Sequence, residues 1–173
     1  MTDNANENLA SVEVSRTIAA PPHAIFAVVA NPTRHHEFDG SNMLRGALES
    51  RQIVAVGDTF TMTMHRLGRD YQMYNTVVDF EQDRRIVWEP APGDLDTAGG
   101  DPTRIGVAAG YCWGYYLEAL GENATLVTER FECGTTENQW ILQQENGQWI
   151  NGSNSVLESM TASLKRLATL CTA

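Results

Sequence analysis

The chain has 173 residues, 42% of them hydrophobic, and a formal net charge of -10. That length and apolar content suit one domain with a single core and are too hydrophobic for a disordered chain. The acidic balance excludes nucleic acid, whose phosphates it would repel, and disfavours an anionic membrane surface.

Residues 1–10 are polar and Asn-rich, so a flexible N-terminus is expected before a single domain over 11–173. No basic segment leads into an apolar run, so no secretory leader is expected. No stretch approaches the roughly 18 apolar residues that cross a bilayer. Cys112, Cys133 and Cys171 lack metal or CxxC spacing, and reduced thiols in the cytoplasm are the simplest account.

Residues 12–19 alternate as a half-buried strand, with Val12, Val14, Arg16 and Ile18 on one face. Pro21-Pro22 stops it and starts a helix over 23–30, where Ile25, Phe26, Val29 and Ala30 share a side. A short helical turn is expected over 33–38, then a turn at Asp39-Gly40. A weak strand covers 44–54. A hairpin joins 57–67 to 71–81 through a turn at Gly68-Arg69-Asp70. Phe60, Met62 and Met64 face inward in its first arm, and Tyr74, Thr76, Val78 and Phe80 in its second. Residues 84–89 turn Ile86 and Trp88 inward, and 91–106 read as a long Pro/Gly/Asp loop. Two strands follow. One turns Tyr111, Trp113, Tyr115 and Leu117 inward, and the other Thr125, Val127, Glu129 and Phe131. Residues 135–152 fit no single element. Residues 153–170 make the clearest helix, with a stripe of Val156, Leu157, Met160, Leu164, Leu167 and Ala168.

This order resembles the SRPBCC superfamily, the START-like, birch-pollen-allergen-like proteins. The resemblance is carried by VEVSRTIAAPPHAIFAVVANP, RRIVWEPAP, the pair GYYLEAL and ATLVTERFEC, and the closing SVLESMTASLKRLA. It runs over residues 12–170 and is nearest to the bacterial polyketide cyclase/dehydrase-like branch. It implies an α+β helix-grip fold: a seven-stranded curved antiparallel sheet wrapped around a long C-terminal helix, with two short helices after the first strand. It also implies a cavity between sheet and helix.

The inward faces are rich in aromatic residues, which suits either plain core packing or a pocket wall. The expected ligand-binding residues are Phe60, Met62, Tyr74, Trp88, Tyr111, Trp113, Tyr115, Phe131, Met160 and Leu164. His35, His36, Glu37 and Asp39 form the densest ionisable cluster. Adjacent histidines on a helix diverge by about 100°, so no metal is expected there. A solvated helix edge at the pocket mouth, or one histidine as general acid/base, remains. Arg16 and Glu129 fall on inward faces of strands that the resemblance makes neighbours, and a buried charge needs a partner. They are expected to pair, either to close the sheet or to orient a ligand. The catalytic candidates are therefore Glu129, Arg16, His35 and His36.

Three functions stay open. The first is binding of a hydrophobic aromatic polyketide, isoprenoid or lipid in the cavity. The second is a cyclase/dehydrase-like enzyme without a cofactor, working by general acid/base chemistry there. The third is a protein-interaction module. The expected partner is an apolar small molecule, with no nucleic acid and no membrane insertion, in a cytoplasmic monomer or homodimer.

Overall fold

Alternating apolar residues draw seven strands into one sheet. The computed structural model describes residues 10–94, 101–133, 143–145, 148–151 and 154–173. Of the N-terminal residues expected to be flexible, 1–9 lie outside these, and Ala10 already belongs to the first strand.

The order is β1 (Ala10–Ile18), α1 (Pro22–Val29), a 3-10 turn (Pro32–Arg34), α2 (His35–Phe38), β2 (Leu44–Ala47), β3 (Thr59–Arg66) and β4 (Arg69–Glu81). Then come β5 (Arg85–Pro92), β6 (Tyr111–Ala119), β7 (Thr125–Cys133) and the long helix α3 (Val156–Thr172). The seven strands form one antiparallel sheet ordered β1-β7-β6-β5-β4-β3-β2. The segment that fitted no element contributes β8 (Gln143–Glu145) and β9 (Gln148–Asn151) to a second, three-stranded sheet, whose β10 (Asn154–Ser155) takes up the start of the helix expected over 153–170. The rest of 135–152 lies outside the described residues.

Ser155 caps α3, its hydroxyl accepting the Glu158 N–H at 3.4 Å. Val156, Met160, Ser163, Leu164 and Leu167 are the buried stripe. Leu157, expected in it, is 45% exposed. One residue past Val156 is about 100° round the helix, outside the stripe.

The expected strand over 44–54 stops at Ala47. Beyond it the Glu49 carboxylate accepts the Thr61 N–H at 2.7 Å, taking the donor that a longer β2 would need. The β3–β4 turn sits at Leu67 and Gly68, with φ of 51° and 76°. Two positive φ values match the twist of a tight hairpin, so Arg69 and Asp70 are already strand. Part of the expected 91–106 loop is also strand: β5 runs on through Ala91 and Pro92 against β4. Residues 95–100 lie outside the described residues.

The largest departure is the phase of β4. Tyr71, Met73, Asn75 and Val77 face inward, and Tyr74, Thr76 and Val78 do not. A bulge between Val77 and Asp79 shifts the alternation by one residue. Phe80 therefore does pack inward, its ring 5.6 Å from Phe26. Counting back from Phe80 without the bulge inverts every residue before it.

Candidate ligand cavity

The curved sheet and α3 enclose a cavity of about 470 Å³. That lies in the range of pockets that hold drug-sized molecules. Phe60, Met62 and Met64 of β3, Tyr71, Met73 and Asn75 of β4, and Trp88 of β5 line it. So do Tyr111, Trp113 and Tyr115 of β6, Glu129 of β7, and Val156, Ser159, Met160 and Ser163 of α3. The α2 segment closes one side with His35, Phe38 and Asp39. At the other side Arg66, Leu67 and Arg69 of the β3–β4 hairpin also line it. Leu67 is 70% exposed, which puts the mouth at that hairpin.

Of the residues expected from sequence, Phe60, Met62, Trp88, Tyr111, Trp113, Tyr115 and Met160 line the cavity. Three do not. Tyr74 points away from it, because the bulge reverses β4, and bonds the Asp94 side chain. Phe131 is fully buried against Tyr111 and Trp113, at 5.4 and 4.8 Å between rings. Leu164 lies in the core with Leu167, below the cavity surface. Alternation assigns a face to a residue, but which residues of that face meet the void depends on sheet curvature.

Sequence reasoning missed Tyr71 and Asn75. Their signal was the odd phase of β4, hidden by the bulge. It also missed Phe38, which sits three residues after His35 on the same side of α2.

Arg16 and Glu129 do not form the expected pair. The Cα partner of Glu129 on β1 is Val14, and Arg16 sits opposite Val127. Glu129 is buried and Arg16 is exposed. Strand β1 is a sheet edge, so a long arginine stem there can carry its charge out to water. Arg16→Ala should therefore change unfolding free energy by less than about 0.5 kcal/mol in urea denaturation. A loss of roughly 3–5 kcal/mol, the cost of breaking a buried pair, would contradict this placement.

The histidine cluster divides. His36 and Glu37 are exposed, the latter bonded to Arg34 at 2.9 Å. His35 is not the solvated helix edge that the sequence suggested. It is 3% exposed, with Nε2 2.7 Å from the Val29 carbonyl oxygen. Burial pushes its pKa down to about 4, against the opposing pull of that carbonyl. The neutral ring thus keeps its proton on Nε2 and donates it to Val29. His35 stacks on Trp88 at 5.4 Å, and Trp88 on Tyr115 at 6.0 Å. These three rings form a continuous wall.

Beside that wall lies the one carboxyl of the sheet that lines the cavity among the described residues. Glu129 is 6% exposed and its Cα partner on β6 is Tyr115. The Tyr115 hydroxyl donates to one of its oxygens, whereas Oε2 is buried with no partner among the described residues. Burial pushes the Glu129 pKa up to about 8, the tyrosine bond opposes this, and the charge of Asp39 adds to it. Burial likewise holds the Tyr115 hydroxyl well above its ordinary pKa. Asp39 has its own donors: the Ser41 N–H and hydroxyl on Oδ1, and the Met43 and Leu44 N–H groups on Oδ2, at 2.6–2.9 Å. That clamp shapes the turn joining α2 to β2.

Solved structures share this fold. A Mycobacterium smegmatis protein, Ms6760, superposes with a TM-score of 0.64 at 16% identity, over 94% of this chain and 91% of that one. Ginseng major latex-like protein 151 from Panax ginseng superposes with a TM-score of 0.60 at 12% identity, over 95% and 99%. The chain has the helix-grip fold. A Polyketide_cyc-like protein from Corynebacterium glutamicum, Cgl2372, shares the helix grip at 23% identity and a TM-score of 0.50, over 78% of this chain and 72% of that one. By sequence, the uncharacterised Mycobacterium tuberculosis protein Rv0088 is 30% identical over 121 residues, 69% of this chain. The chain spans about half the length of that relative, 46%. No protein-family model matches the chain.

Proposed function

We propose that this helix-grip chain binds a hydrophobic small molecule, an aromatic polyketide, isoprenoid or lipid, between its sheet and α3. The observation that carries the reading is the cavity of about 470 Å³ with its wall of stacked His35, Trp88 and Tyr115. Flat aromatic surfaces at this spacing suit a planar or ring-bearing ligand. Met62, Met64, Met73 and Met160 add surface that can adapt to its outline. The thiols of Cys112 and Cys171, neither of them in a disulfide, support work in a reducing compartment, the cytoplasm.

Native mass spectrometry of protein purified from its own source is expected to show a retained small molecule. Addition of a polycyclic aromatic hydrocarbon such as fluorene is expected to quench the tryptophan emission, since Trp88 and Trp113 line the cavity. No retained mass and no saturable quenching would rule the reading out.

A second reading is a cyclase/dehydrase-like enzyme. It is favoured by Glu129, a carboxyl whose pKa near 8 lets it give or take a proton at neutral pH. Turnover of the retained molecule, lost in Glu129→Gln, would establish it.

A further inference from the structure

Glu129 presents an unusual demand on whatever fills the cavity. Its side chain stands between Val14 and Tyr115 on the inner face of the sheet. The tyrosine hydroxyl satisfies one carboxyl oxygen, and Oε2 has no partner among the described residues while its side chain lines the cavity. Orphaned buried polar atoms are rare in native proteins and ask for an explanation. Among the described residues, the groups that act on its charge are Tyr115 of β6 and Asp39 after α2. Neutral His35 of α2 and the uncharged Met160 and Ser163 of α3 line the same cavity, and its two arginines, Arg66 and Arg69, belong to the β3–β4 hairpin. A carboxylate in that setting would be a bare charge beside an apolar void, next to a second carboxylate. The stable form at neutral pH is the acid.

We infer that Glu129 is a hydrogen-bond donor to the ligand, and that the cavity selects an apolar molecule bearing one carbonyl-type oxygen, which enters first and meets the Glu129 acid group, the side chain turning to bring its packed, unpartnered Oε2 to the void. This deepens the proposed binding function and rests on it. The mouth is at the exposed β3–β4 hairpin, so the buried Glu129 end takes the oxygen and the aromatic walls take the ring system. A hydrocarbon of the same shape leaves the acid unpaired. A cationic ligand would instead need the carboxylate. A cavity lined by a neutral donor therefore discriminates among molecules of one outline by a single atom.

Three probes of nearly the same shape test it: fluorene, 9-fluorenone and protonated 9-aminofluorene. Dissociation constants come from tryptophan quenching. At pH 6.5 the wild-type protein should bind fluorenone about three- to tenfold more tightly than fluorene, the worth of one neutral hydrogen bond. The preference should vanish by pH 9.5, where Glu129 has lost its proton while Tyr115 has not. Glu129→Gln, whose amide still donates, should keep the preference at both pH values. Glu129→Leu should lose it while still binding fluorene. Equal binding of fluorene and fluorenone by the wild type overturns the inference alone, as does a preference that survives in Glu129→Leu. So does tighter binding of aminofluorene than of fluorenone. Failure of all three probes to bind overturns the cavity function and this inference with it.

Discussion

Between pH 6.5 and 8 the wild-type protein is expected to lose about 2 kcal/mol of stability that Glu129→Gln keeps. The native carboxyl holds its proton up to a pKa of about 8, whereas in the unfolded chain it releases it around the ordinary 4.5. In that window the unfolded state binds fewer protons than the native state, so stability falls with rising pH at about 1.4 kcal/mol per unit. The contribution is fully present below the unfolded pKa and gone above the folded one. His35 works in the opposite sense. Its pKa falls from 6.5 to about 4, so stability is lost as pH drops through that interval. The two slopes offset each other between about 4.5 and 6.5, and only that of Glu129 remains above. Glutamine removes it and leaves the oxygen that accepts from Tyr115. Urea unfolding at half-unit steps of pH, compared between the two proteins, isolates the effect because all other titrating groups cancel. Parallel profiles would show that Glu129 is ionised at neutral pH in the native state.

Replacing Gly40 by alanine is expected to destabilise by about 3 kcal/mol and to weaken binding in the cavity. Gly40 lies where the turn after α2 crosses α3. A Cβ built on it falls 2.0 Å from the Ser159 carbonyl oxygen and 2.6 Å from the Ser163 nitrogen. Both are backbone atoms of a helix, so no side-chain rotation relieves the clash. The turn is also pinned there. The Gly40 N–H donates to the Ser163 hydroxyl at 2.9 Å, and Arg166 reaches across to the Asp39 carbonyl oxygen and, at 2.9 Å, to Asn42 Oδ1. Overpacking of this kind costs roughly 1–3 kcal/mol, and more where backbone must move. For a chain of this length that lowers Tm by about 6–12 °C. Because Ser159, Met160 and Ser163 line the cavity, a displaced α3 changes its shape as well. A wild-type Tm and wild-type fluorene affinity in the variant would show that the crossing is loose.

Much of this fold was legible in the chain itself. Local rules decide it: Pro21-Pro22 opens α1, alternation marks β6 and β7, and the 3.6-residue stripe marks α3. The cavity wall followed from the same alternation at Phe60, Met62, Trp88 and the three inward aromatics of β6, Tyr111, Trp113 and Tyr115. Those signals are carried by residues close together in sequence, whose burial does not depend on what lies across the domain.

Other features were settled only by the tertiary structure. The bulge after Val77 has no sequence mark, and it exchanges Tyr74 for Tyr71 and Asn75 on the inner face. Arg16 has the inward parity of Val14 and Ile18, yet its edge position lets it reach water. Glu129 was singled out as an inward-facing, buried carboxyl, but with a charge and a partner that the structure does not give it. Register sets Tyr115 and Val14 beside it, and register is a property of strands far apart in sequence. His35 and His36 are neighbours in the chain, and only the packing of α2 against Trp88 makes one a buried neutral ring and leaves the other exposed. The sequence by itself therefore determined which faces are apolar in the regular strands and α3, though not in the bulged β4, because side-chain period is local. The protonation and pairing of its buried polar groups were decided by the folded structure, because desolvation depends on everything that surrounds them.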